Sequence, residues 1–356
     1  MISLFRKAAP VPAGLTAASL LGAFESLGDN CEFGIAQRYA GADPLGLFRL
    51  SSAPIADLTH AVETRFSHYG GADDIEVRVG AGDYLFCHSR RYGFAYHTGD
   101  TAPRTKPADI LAREIRRVDY LKDRFLADLA AGDKILVRKG PPGETEDAVS
   151  RVFAALRAIG PVTLLRVCEA GAVPPGRVVW RGEGLMQGAL PHFAPYAAAT
   201  DADLAGWLAV CGQAYALRHS LIEPPALAPD GPPLFEDPGT THHALDAAAP
   251  DPGGLAVSHL VAGLRPNRLH VVAAEIRLSE DFSGTRAAIT FLDAAPHARR
   301  EADLTRRGTW QAVYGAIRTR KRQSEATIGL ILAGPGGTAV ETRGWRVTEG
   351  CLPGVG

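Results

Sequence analysis

The sequence predicts an α/β half built on a mostly parallel sheet with flanking helices and an inserted β-hairpin, followed by a separate all-β sandwich of jelly-roll type. Three observations predict it. Helical and strand patterns alternate up to about residue 220. The stretch from Leu221 to Gly239, "LIEPPALAPDGPPLFEDPG", then carries six prolines and little periodic apolar pattern. After it helical periodicity disappears, and short β-branched or aromatic runs follow one another between Gly, Pro, Asp and Ser clusters. The expected organisation is an N-terminal extension over 1–19, an α/β domain over 20–220, a stiff Pro-rich linker over 221–239 and a β-sandwich over 240–356.

Each element has its own warrant. "PADILAREIRRVDYLKDRFLADLAAG" sets Leu111, Ile115, Val118, Leu121, Phe125 and Leu129 at helical spacings, with Gly132 as a stop. "KILVR" follows as a short buried strand. "TEDAVSRVFAALRAIG" begins with acidic residues suited to a helix N-terminus, presents Val149, Val152, Phe153 and Leu156 on one face and stops at Gly160, and "VTLLRV" is the next strand. Strand and helix in short succession mark a parallel sheet with helices packed on it. "IEVRVGAGDYLFCHSRRYGFAYHTG" breaks the alternation with two or three strand-like runs and no helix between them, which predicts the hairpin. In the second half "RLHVVAAEIRL", "AAITFLD", "WQAVYGAIR", "TIGLILAG" and "GWRVTEG" are the strands of the sandwich.

Composition narrows the function classes. A chain of 356 residues, 46% hydrophobic with a formal net charge of -1, can bury two cores and offers no global field to recruit nucleic acid or an anionic membrane. No apolar run reaches the length of a membrane span. The N-terminal "MISLFRKAAPVPAGLTAASLLGAF" has basic residues before a weakly apolar run, but two prolines interrupt it, so a cleaved signal is not expected. The five cysteines are scattered and never form a Cys-x-x-Cys pair, which argues against a disulfide framework or a zinc site and favours a reduced, cytoplasmic compartment. The adjacent His242 and His243 of "TTHHALD" would point to opposite faces of a strand, so no metal site is expected there. A Gly-rich phosphate loop, a Gly-x-Ser-x-Gly elbow and a His-Glu-x-x-His helix are all missing from the sequence. No cofactor is expected.

The stretch "FESLGDNCEFGIAQRYAG" carries the chemistry. If "FESLG" is a strand and "CEFGIAQRYAG" opens a helix, Cys31 lies at a helix N-terminus, where unpaired N–H groups and the macrodipole favour a thiolate. Asp29 and Asn30 can equally cap that helix through their side-chain oxygens, with Gly28 supplying the turn and Cys31 a small buried hydrophobe.

"SLGDNC" followed by a helix, then "GLFRLSSAP", then "AYHTG", resembles bacterial proteins classed as papain-like cysteine peptidases, a family with a Ser-Leu-Gly-x-x-Cys signature; the likeness spans roughly residues 24–170. The resemblance implies Cys31 as nucleophile and His97 as its base, with Asn30 beside them in the catalytic set and N–H donors of the helix start for a developing oxyanion. His88 in "FCHSRR" competes with His97 for the role of base. The chain departs from the family in reading His97-Thr98 where His-Asp is usual, and "LSSAPIADL" where a Pro-Phe-Asp-Trp element is usual.

The second half is similar in layout to jelly-roll carbohydrate-binding modules, which implies a glycan or polysaccharide partner and Trp310, Trp345 and Arg318 as contacts. An exposed indole suits the C–H face of a pyranose, whereas a buried one fills the sandwich. The basic clusters around Arg113–Arg124 and Arg306–Arg322 are read as solvated faces or as anion sites. Two functions follow: a cysteine-dependent hydrolase or acyltransferase targeted by a sugar-binding sandwich, or a non-catalytic saccharide- or protein-binding chain with the α/β half as scaffold.

Overall fold

The computed structural model describes residues 15–227, 232–244, 254–266, 268–293, 298–320, 322–334 and 339–350. The signal-peptide question, part of the Pro-rich linker and Cys351 lie outside them. The first half runs α1 (Ala17–Gly22), β1 (Phe24–Ser26), α2 (Glu32–Tyr39), β2 (Ser51–Ser52), α3 (Ile55–Glu63), β3 (Ile75–Val79), β4 (Tyr84–Ser89), β5 (Ala95–Thr101), α4 (Pro107–Ala131), β6 (Ile135–Lys139), α5 (Glu146–Arg157), β7 (Thr163–Glu169), β8 (Val178–Gly182), β9 (Leu185–Leu190) and α6 (Leu204–His219). The second half is β10 (Phe235–Ala244), β11 (Gly254–Ala262), β12 (Leu269–Leu278), β13 (Arg286–Phe291), β14 (Ala298–Arg300), β15 (Trp310–Arg318), β16 (Glu325–Ala333) and β17 (Ala339–Glu349). Strand β10 takes in residues 235–239 of the Pro-rich segment.

Strands β1, β6, β7 and β9 lie side by side and parallel, and β8 closes the edge antiparallel to β9. Alternation sorts their side chains: Ile135 and Val137 face α1, α2 and α6, while Leu136 and Leu164 face α3, α4 and α5. Thr145 caps α5 by accepting from Ala148 N, and Gly132 ends α4 in the left-handed conformation at φ 68°. The inserted strands make a four-stranded antiparallel sheet, β2-β5-β4-β3, rather than a single hairpin. Along α4 the buried residues are Ile110, Glu114, Val118, Leu121, Phe125 and Leu129, so Glu114 takes the place the periodicity gives to Ile115. Glu114 is tolerated there because Arg113 and Arg117 both bond its carboxylate. Further along the same basic face Lys122 pairs with Asp119 and Arg124 with Asp128.

Every strand pair described after residue 232 is antiparallel: β10-β17-β12-β15-β14 form one sheet and β11-β16-β13 the other. Val272, Ala274, Ile276, Ile289, Val313, Ile328 and Leu330 fill the space between them, giving a β-sandwich. No helix is present among the described residues of this half. The two halves share apolar surface: Leu269, Val271, Ala273, Tyr314 and Ala316, on the outer face of the larger sheet, join the core around α1, α2 and α6. No described helix is long and apolar enough to cross a membrane.

Candidate functional site

The carboxyl ends of β1, β6 and β7 converge, which is where open parallel sheets usually hold ligands. Gly28 takes φ 65°, and a Cβ there would come within 3.0 Å of the Ser51 carbonyl, so the turn after β1 requires glycine. Arg138, fully buried, donates to the Gly28 carbonyl and to Ala53 O at 2.8 Å while Glu144 neutralises it at 2.7 Å. Asn30 Oδ1 accepts from Glu32 N at 3.0 Å, so Asn30 is the side chain that caps α2. Lys139 Nζ lies 3.0 Å from Glu32 Oε2, 3.7 Å from Asp29 Oδ2 and 4.5 Å from the centre of the Phe193 ring. Trp207 Nε1 donates to Glu32 Oε1, and Tyr196 Oη to the Asp29 carbonyl.

Cys31 opens α2 as expected, but its thiol donates to the Leu50 carbonyl at 3.5 Å and no hydrogen bond or ion pair described joins it to His97 or His88. Burial pushes its pKa up, against a smaller opposing effect of Arg38. This reverses the depressed value expected from a helix N-terminus, because Asn30 already occupies the Glu32 N–H and the thiol is half-buried. His97 is exposed on β5, its ring 6.4 Å from that of Phe86 on β4; it lines a cavity that Leu50 also lines but Cys31 does not. His88 alternates with the inward-facing Cys87 on β4 and leaves Nδ1 without a hydrogen bond. Asn30 and Cys31 are thus adjacent, and His97 stands apart from them.

In the sandwich the three expected sugar contacts separate. Trp345 is 3% exposed in the core, with Nε1 donating to Thr342 Oγ1 at 2.9 Å, so the reading of Trp345 as a stacking platform is corrected. Arg318 ends the strand that Trp310 begins, and the seven residues between them hold the two about 25 Å apart. Arg318 faces α2 instead of the indole, its charge felt with those of Arg38 and Asp43. Trp310 is half-buried on the outer face of the larger sheet, with the guanidinium carbons of Arg343 and Arg277 at 4.1 and 5.1 Å from its ring centre. Glu275 holds Arg343 at 2.8 Å, Glu341 bonds Arg277, and His242 Nε2 lies 2.8 Å from Glu341 Oε1. Next to this ladder His242, Arg277, Glu280, Gly308 and Glu341 line a groove of about 360 Å3. His243 turns the other way, buried against Thr342 Oγ1 at 2.7 Å, so the two histidines occupy opposite faces as alternation requires.

Sequence reasoning missed Glu275, Arg277, Glu341 and Arg343 as members of a site. Their signal is present: opposite charges two residues apart on each of two strands, "EIR" and "ETR", place a salt-bridged ladder on one sheet face. It also missed Lys139, which sits at the end of a strand that is buried throughout.

No family model matches the chain, the cysteine-peptidase family included, and no curated protein matches it. Among solved structures the chain is similar to the EclA C-terminal domain, a sugar-binding protein, with TM-score 0.26 and 8% identity over 35% of this chain and 85% of that one. It is similar to the CBM22-1-GH10 modules of Clostridium thermocellum endo-1,4-beta-D-xylanase 10B complexed with xylohexaose, with TM-score 0.22 and 8% identity over 33% and 28%. The CBM22-1 xylan-binding domain of Paenibacillus barcinonensis Xyn10C is similar with TM-score 0.23 and 10% identity over 35% and 99%.

Proposed function

We propose that the chain binds a glycan or polysaccharide in the groove beside Trp310. The observation that carries the reading is one side chain with two settings: Arg277 lines the groove and also lies over the Trp310 ring. A pyranose needs an apolar surface for its C–H face and fixed donors and acceptors for its hydroxyls. Trp310 supplies the first. Arg277, Glu341 and His242, held by one another, supply the second with little rotamer freedom left to lose. The assay is a glycan array followed by calorimetry, both on the full chain, because a fragment starting at 235 would expose Leu269, Val271 and Tyr314. Trp310→Ala and Glu341→Gln are expected to weaken binding at least tenfold. A chain that retains no saccharide, or a Trp310→Ala variant that binds as tightly as the parent, sinks the reading. The division into an α/β domain over 20–220 and a jelly-roll-like domain over 240–356 belongs to this proposal.

A second reading, a cysteine-dependent hydrolase or acyltransferase in the α/β half, is favoured by the position of Cys31 at the carboxyl end of β1 beside Asn30, whose Nδ2 has no hydrogen-bond partner. In that reading Cys31 is the nucleophile, His97 the base brought up when substrate binds, and Asn30 a donor to the oxyanion. An acyl-enzyme mass adduct from activated esters that vanishes in Cys31→Ala and is slowed in His97→Ala would support it; labelling spread over several cysteines would not.

A further inference from the structure

We propose that the cleft between the end of α2 and the sandwich is a binding site for a phosphate-type oxyanion, held by Arg38, Arg268 and Arg318. The three guanidiniums come from separate elements: Arg38 from the last turn of α2, Arg268 from the residue before β12, and Arg318 from the end of β15. They line a cavity of about 560 Å3 whose one acidic side chain is Asp43. A second cavity shares Arg38 and Asp43 and adds Arg49, Arg117 and His97.

Asp43 cannot neutralise this group. Its Oδ1 is bonded by Arg49 and lies 3.8 Å from Arg38 Nε. Burial alone would raise its carboxyl, but the Arg49 bond and the charges of Arg49, Arg38 and Arg318 outweigh it and hold Asp43 below the usual carboxylate range. Glu349, the other nearby carboxylate, is bonded by Arg265 at 2.5 Å and lies 3.6 Å from Arg268. Counting Arg265 with the Glu349 it bonds, five guanidiniums (Arg38, Arg49, Arg265, Arg268, Arg318) against two carboxylates (Asp43, Glu349) leave three positive charges, an excess that a phosphate dianion would largely neutralise. Arg318 Nε is buried with no hydrogen-bond partner, and so is Arg49 Nε. Burial, and then the charge of Arg38, push the Arg318 guanidinium below its ordinary pKa, and Asp43 only partly opposes them. Planar guanidinium forks bind carboxylates and phosphates bidentately, and three of them converging on one cavity with an excess of positive charge favour the more highly charged phosphate. Arg268 Nη1 donates across the cleft to Gly41 O at 3.0 Å, so the cavity lies where the two halves are already joined, and a bound anion would tie them further.

The test uses the full chain and orthophosphate, titrated against sodium chloride of equal ionic strength, with melting temperature and calorimetric heat as readouts. A saturable rise in Tm with phosphate and none with chloride is expected. Arg38→Met and Arg318→Met should each abolish that rise, and Arg318→Met should melt no lower than the parent without phosphate, since it removes a like-charge contact. Arg151→Ala, on the exposed face of α5, and Trp310→Ala should both keep the response, which separates this site from the saccharide groove. A hexose monophosphate serves as a second arm: tighter binding than orthophosphate identifies a phosphorylated small molecule as the source, and equal binding identifies the free ion. The proposal is overturned by a phosphate response no larger than that of chloride, or by one that survives in both Arg38→Met and Arg318→Met.

Discussion

Lys139 and Glu32 form an ion pair of 3.0 Å with side chains 7% and 0% exposed, where β6 ends and α2 begins. The pair joins the parallel sheet to the turn that carries Cys31, and Trp207 of α6 hydrogen-bonds the other Glu32 oxygen. Removing one partner of such a pair strands a buried charge, whereas removing both does not. Lys139→Met is therefore expected to cost about 3–5 kcal/mol in urea unfolding, and Lys139→Met with Glu32→Gln to recover more than half of it. Additive losses in the double variant would mean that the two charges do not depend on each other.

Thiol chemistry at Cys31 follows from its burial. A thiol raised by desolvation is mostly protonated at neutral pH and reacts slowly. Iodoacetamide labelling of Cys31 against pH should give a midpoint above the ~8.5 of a free thiol, and His97→Ala should leave that midpoint in place because the imidazole is not hydrogen-bonded to the sulfur. A midpoint below 8.5 that climbs in His97→Ala would reinstate the activated pair.

The helices legible in the sequence are those with one buried face: in α4 and α5 period and burial agree except where Glu114 replaces Ile115, and the turn glycine at Gly132 falls where the apolar stripe ends. Strands β6 and β7, buried on both faces, are legible as short continuous apolar runs. Helix α6 was not legible, because Leu204, Trp207, Leu208, Val210, Cys211 and Ala214 are all buried and no polar stripe remains to reveal a period; the parallel sheet lies on one side and the sandwich closes over the core it shares. Half of helix α1, residues 17–19, falls in what reads as an extension, yet Ala17 is fully buried. Trp345 shows why the sequence left open which indole is exposed. Glu341 and Arg343 point outward, and strict alternation would send Trp345 with them. Gly344, at φ 63°, instead lies in the irregular stretch of the β12–β17 pairing and resets the parity, so Trp345 turns into the core with Val347.

That parity reset separates the two tryptophans experimentally. Trp345→Ala opens a cavity between the sheets and leaves Thr342 short of a donor, so a loss of about 3–5 kcal/mol is expected. Trp310→Ala removes only ring contacts with Arg277 and Arg343, expected to cost about 1 kcal/mol or less. Saccharide affinity should order the variants the other way, with Trp310→Ala the weaker binder once both are assayed below their melting temperatures. Equal stability losses would contradict the placement of the two rings.

His270 gives the sandwich an acid-sensitive joint. Its ring is fully buried on β12, in register with Ile317 of β15 and Glu349 of β17, and Nε2 accepts from Arg265 N at 3.3 Å while Nδ1 has no partner. Burial lowers its pKa from 6.5 to about 4; the Arg268 backbone, an acceptor for the imidazole, opposes that shift and the charge of Arg265 adds to it. Glu349 lies 3.8 Å from Nε2 and would favour protonation, but it is already bonded by Arg265 at 2.5 Å, and protonating Nε2 would also break the bond from Arg265 N. Between pH 4 and 6.5 the unfolded chain then binds the proton that the folded chain refuses, so stability is full above 6.5 and falls as the pH drops toward 4. The loss attributable to this residue is about 3 kcal/mol. His270→Gln keeps an acceptor and cannot titrate, so urea unfolding at a series of pH values should show a shallower slope between pH 6.5 and 4 in the variant than in the parent, the two curves running parallel below that range as carboxylates take over. Parallel curves from pH 6.5 to 4 would show that His270 protonates in the folded chain without penalty.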